Sequence, residues 1–145
     1  MATTEDHQPA TVGEALDLGR RLWVQQRFFE AHECLEFVWH AVGEADADLW
    51  QGVIQIAVAG VHVQRGNPTG AITLLERAMR RLSGRPDVQH GIAVRDAVTA
   101  CEELRSRLLD GMPVGAADLP GFPETGEGVQ VLDAHGADLR PVPLE

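Results

Sequence analysis

The sequence predicts an all-α protein: an antiparallel bundle of four to five helices followed by an irregular C-terminal tail. Three observations carry this expectation. Apolar residues recur at helical spacing in successive segments between residues 11 and 110. The connections between those segments are short, which favours antiparallel neighbours. Beyond Asp110 the periodicity stops, and Gly, Pro and acidic residues take over. At 145 residues the chain reads as one domain, long enough to bury a core without disulfides or structural metal.

The elements follow in order. Residues 1–10 are polar and expected to be loose. Thr11 and Glu14 have capping-box spacing, opening a helix that turns Ala15, Leu18, Leu22 and Trp23 to the core. Gln25 to Arg27 reads either as a joint or as a continuation into a second helix over 28–42. Gly43 is expected to stop that helix, and Asp46 or Asp48 to cap a third over 49–64. Arg65-Gly66-Asn67-Pro68 is a stop and restart, with Gly66 just past one helix, Asn67 as N-cap of the next and Pro68 at its first position. The fourth helix carries Ala71, Leu74, Leu75, Ala78 and Leu82 and ends at Ser83-Gly84. Asp87 is expected to cap a fifth, which runs through Ala97, Val98, Cys101, Leu104 and Leu108 to Leu109. The bundle domain is therefore placed at 11–110. Within the tail, 111–128 reads as a linker or wrapping arm, and 129–140 as a small hairpin turning near His135-Gly136. An isolated hairpin is marginal, so this one needs the helices or another chain to pack on.

Composition excludes several functions. A formal net charge of −10 argues against a nucleic-acid surface and against docking on anionic membranes. The arginines at 20–21 and at 77, 80, 81 and 85 read as solvated helix faces and C-terminal-end charges. The most apolar run, Val53 to Val63, is too short to span a bilayer and contains Gln55 and His62. The two cysteines, Cys34 and Cys101, form no disulfide framework and no Cys-x-x-Cys motif, and read as small core residues. No basic-then-apolar leader precedes the first helix, so the expected location is the cytoplasm. The partners expected are a small-molecule ligand and, through the tail, a second copy or another protein.

The chemistry gathers in two neighbouring helices. At about 100° per residue, His32, Glu33, Glu36 and His40 share one arc of the second helix. On the third, Gln51, Gln55 and His62 form a narrow polar stripe on an otherwise apolar helix. So apolar a helix is expected to be buried, and its polar side chains then need partners. The acid and imidazole face of the preceding helix would supply them, giving a Glu/His/Gln pocket between helices two and three. The competing reading is a solvated, charged face on the second helix, although Phe29 and Phe37 beside the arc suggest partial cover. His32-Glu33-x-x-Glu36 lacks one ligand of the zincin motif. His32 and Glu36 at i and i+4 could share a divalent metal with His62 as third ligand, or simply hydrogen-bond to each other. Without metal, the adjacent carboxylates Glu33 and Glu36 are candidates for general acid/base work. No nucleophile elbow, phosphate loop or dinucleotide fingerprint is present.

The string Phe28-Phe29-Glu30-Ala31-His32-Glu33-x-x-Glu36-x-x-Trp39, followed by Gln51-Gly52-x-x-Gln55-x-Ala57, His62, Gly66-Asn67 and Gly70-Ala71-x-x-Leu74-Leu75, resembles the DUF309 family of small prokaryotic proteins. The resemblance covers about residues 14–83 and implies an all-helical bundle with no assigned activity. It carries Glu30, His32, Glu33, Glu36, Trp39, Gln51, Gln55 and His62 over as signature positions. His40 stands where relatives commonly carry Arg or Lys, and Trp39 reads as a packing residue at the cluster's edge. The combined expectation is a pocket in which Glu33 or Glu36 acts as general base, His32 and His62 hold ligand or shuttle protons, Glu30 and Trp39 border the ligand, and Gln51 and Gln55 orient it. The alternative is a structural or interaction module in which the cluster only fixes helix packing.

Overall fold

A computed structural model describes residues 8–144, and the loose segment expected at 1–10 falls mostly outside that range. Among the described residues five helices form: α1 (Val12–Val24), α2 (Phe28–Ala41), α3 (Glu44–Gln64), α4 (Pro68–Leu82) and α5 (Val94–Leu109). Each packs chiefly on its neighbour in sequence, giving the all-α bundle. Among the described residues no helix is long and apolar enough to cross a membrane.

Local chemistry sets most helix ends. The Thr11 hydroxyl accepts from the Glu14 N–H at 3.1 Å, capping α1. α1 ends where Gln26 takes φ 59° and the N–H groups of Gln26 and Arg27 turn back to the carbonyls of Trp23 and Leu22, so residues 25–27 are a joint. Asn67 caps α4 through a 3.0 Å bond from the Gly70 N–H, and Gly66 before it sits at φ 72°. Two boundaries differ from expectation. α3 begins at Glu44 with Gly43 as its N-cap, because extended backbone at Val42 makes the turn and leaves Gly43 free to start the next helix. α5 begins at Val94 rather than near Asp87, because residues 89–93 commit their backbone to the tail: Ala93 N–H donates to Pro123, Gly91 accepts from Thr125, and His90 accepts from Gln130.

The core runs through the bundle as Leu16, Trp23, Phe28, Leu35, Trp50, Leu75 and Leu82, all fully buried. α3 approaches both neighbours closely through glycine. A Cβ on Gly60 would lie 2.8 Å from the Phe28 ring of α2, and one on Gly52 would lie 2.8 Å from Leu82 of α4.

The tail wraps back over α1. The N–H groups of Val12 and Gly13, in the first turn of α1 and lacking helical partners, donate to Val142 and Arg140 carbonyls at 2.9 and 2.8 Å. Arg140 forks onto Asp17, Glu124 pairs with Arg20, and Phe122 packs edge-on against Trp23. Val129 and Val131 are buried in the same core. Between them and Arg140 the chain turns at Asp133–Gly136 with one bridge, Leu132 to Asp138. The Asp133 carboxylate accepts from the Ala137 and His135 N–H groups, which hold its pKa below the ordinary value.

Candidate functional site

The α1–α2 joint folds two amphipathic helices against each other and leaves a cleft of about 730 Å³ along their outer seam. α2 contributes Glu30, Glu33, Glu36, Phe37 and His40; α1 contributes Leu18, Arg21, Leu22 and Gln25. Cys34 lies at the apolar base, and Gln8 and Pro9 border one end. Burial, with Glu33 and Glu30 nearby, pushes the Cys34 thiol up from its ordinary pKa, so it stays protonated and un-nucleophilic at neutral pH. Burial likewise pushes Cys101 up to about 12, and its helix lies away from the cleft.

The cleft carries charge of both signs. Arg27 is engaged with Glu30, its Nε 2.8 Å from the carboxylate. Glu33 stands exposed on the wall, with Arg21 on the facing helix. Glu36 has a second neighbour: its Oε1 is 3.5 Å from Nε2 of His32, while Nδ1 of that ring meets the carbonyl of Phe29. His32 does not itself line the cleft but stands behind Glu36, with the Phe29 ring edge-on at 4.9 Å. Trp39 is half-buried beside His40, ring centroids 4.7 Å apart.

The α3 stripe lies elsewhere. None of Gln51, Gln55 and His62 lines this cleft. The cause is the rotation of α2: Phe28, Ala31, Cys34, Leu35 and Val38 are its buried residues, and Phe28 packs against Gly60 of α3, so the acidic arc opens toward α1 instead. Gln51 is half-buried, and Gln55 is buried with an Oε1 that has no hydrogen-bond partner among the described residues. His62 joins Asn67 through Nδ1 at 3.1 Å, and that asparagine caps α4. Since the Asn67 oxygen accepts from Gly70, its NH₂ donates to the imidazole, which buttresses the cap.

The metal set suggested by the sequence, His32, Glu36 and His62, does not assemble. Among the described residues no three His, Cys, Asp or Glu side chains gather closely enough to hold a metal ion. The α1 wall is what sequence reasoning missed. Leu18, Arg21, Leu22 and Gln25 fall at i, i+3, i+4 and i+7, so they had to share a face, but nothing local tied that face to the acids of α2.

The family model described as "Domain of unknown function (DUF309)" matches residues 16–74. No curated protein matches the chain. The matched segment holds both helical walls of the cleft, the joint between them and the Asn67 cap, whereas the wrapping tail lies outside it. Over residues 16–74 the chain is similar to the DUF309 family.

Proposed function

We propose that the α1–α2 cleft binds a small polar ligand bearing a cationic amine, held by Glu33 and Glu36. The observation that supports this is the cleft itself: three signature carboxylates, Glu30, Glu33 and Glu36, share one concavity with an apolar base of Leu18, Leu22 and Cys34. Arg27 already occupies Glu30, which leaves Glu33 and Glu36 as acceptors for a ligand. General-base action by Glu33 or Glu36 is the chemical extension of this reading, and hydrolysis is the reaction class it would serve. His62 takes a packing role instead, because its ring nitrogen is engaged with the α4 cap.

Thermal unfolding with putrescine, agmatine and ethanolamine tests the proposal. A ligand at about 100 times its Kd adds about 2.7 kcal/mol, a rise of several degrees. At least one amine should raise the midpoint for the full chain, and the double variant Glu33→Gln/Glu36→Gln should lose that rise. No rise with any amine, or an equal rise in the double variant, would remove the binding reading.

A further inference from the structure

We infer that the cleft takes a zwitterion, an ω-amino acid whose amine sits on Glu33 and Glu36 and whose carboxylate pairs with Arg21 on the facing wall. This rests on the binding proposal and names the ligand class it serves.

Charge pairing along α1 singles out Arg21. An acid four residues before an arginine on a helix is well placed to neutralise it, and Asp17 holds that position. The tail takes that acid away. Arg140 forks onto both Asp17 oxygens at 3.2 and 3.1 Å, and Arg20 approaches one of them at 3.6 Å. Glu14, the other acid of α1, sits with Thr11 at the helix start. Arg20, about 100° around the helix from Arg21, is engaged with Glu124 of the tail. Arg21 is thus left with no ion pair or hydrogen bond among the described residues, and it lines the cleft.

The α2 wall holds the opposite charge in the same condition. Arg27 engages Glu30, but Glu33 has no partner among the described residues. Glu36 is approached only by Nε2 of His32, at 3.5 Å. One cation on α1 and two carboxylates on α2 therefore remain, around a base of Leu18, Leu22 and Cys34. The Cys34 thiol feels both walls. Burial does most to raise its pKa, Glu33 and Glu30 raise it further, and Arg21 opposes them. No ion pair joins Arg21 to Glu33 or Glu36, so the walls do not satisfy each other. A molecule with both charges on an apolar spacer satisfies them together, whereas a diamine leaves Arg21 bare. The guanidinium fork matches a carboxylate, and Gln25, one turn on in the same cleft, adds a carboxamide donor.

The test compares three probes of equal carbon count on the full chain at neutral pH: an ω-amino acid, its alkylamine and its alkanoate. β-Alanine, γ-aminobutyrate, δ-aminovalerate and ε-aminocaproate vary the spacer, and apparent affinities come from the melting midpoint against concentration. The best-fitting amino acid should bind about two- to fivefold tighter than its alkylamine, the range of an exposed ion pair. Added salt should shrink that advantage. Arg21 is exposed, so its replacement leaves the core intact. In Arg21→Gln the amino acid and the alkylamine should bind alike, and Arg21→Lys should restore part of the difference. Equal affinities in the wild type, or an advantage that survives Arg21→Gln, would overturn the inference and leave the amine reading standing. An alkanoate that binds as tightly as the amino acid would overturn both, because Glu33 and Glu36 would then contribute nothing. Silence from all three probe classes would likewise remove both.

Discussion

Trp23→Ala is expected to be the most damaging single truncation in the chain, lowering unfolding free energy by about 3–5 kcal/mol. Trp23 is 1% exposed and serves three elements together. Its ring meets Phe28 of α2 edge-on at 5.7 Å and Phe122 of the tail at 5.4 Å, and its indole N–H donates to the Pro120 carbonyl at 2.9 Å. Alanine would leave a cavity where α1, α2 and the tail converge and would orphan that carbonyl. Because α1 and α2 are the cleft walls, the variant should also weaken any ligand response. Urea unfolding followed by circular dichroism measures the loss. A cost under about 1 kcal/mol would mean that the tail does not dock on α1 as described.

Gly91→Ala is expected to have the second largest effect. Gly91 sits at φ 80°, where an L side chain is strained, and an added Cβ would lie 2.0 Å from the Gly128 carbonyl oxygen. Strain of this kind alone is worth about 1–3 kcal/mol, and the overlap forces the tail off the loop before α5. Gly126 provides the control: it has φ 91°, but an added Cβ there would meet nothing within 4 Å. Gly91→Ala should therefore destabilise by more than Gly126→Ala and open residues 125–130 to limited proteolysis, with helix content retained. Equal effects from the two substitutions would show that the tail crossing contributes nothing beyond backbone strain.

Features encoded by neighbouring residues were legible in the sequence. The Thr11 cap and the Gly66-Asn67-Pro68 restart depend on groups three or four positions apart, and both appear at the expected residues. Features decided by distant contacts were not. Asp87 is a good helix starter, yet the tail holds residues 89–93 in another conformation, and no local signal records the tail. Gly43 has the character of a stop because glycine often ends helices in the left-handed region, but at φ −74° it begins one.

The site divides the same way. Periodicity places Glu33, Glu36 and His40 on one arc of α2 but cannot say which neighbour the arc faces. That choice is made by Phe28 settling on Gly60, a contact between residues far apart in sequence that turns the acids toward α1. The polar stripe on α3 is real as a stripe, with Gln55 buried, yet His62 is drawn to the α4 cap beyond it. Arg21 carried too little signal alone, since an arginine on an amphipathic helix usually marks a solvated face.

The most direct test of the account is to map, by backbone and side-chain NMR, where the amine that most raises the melting midpoint contacts the full-length chain. Perturbations concentrated at Arg21, Gln25, Glu33, Glu36 and Phe37 are the predicted result. Perturbations centred on Gln51, Gln55 and His62, or spread evenly over the acidic surface, would contradict it.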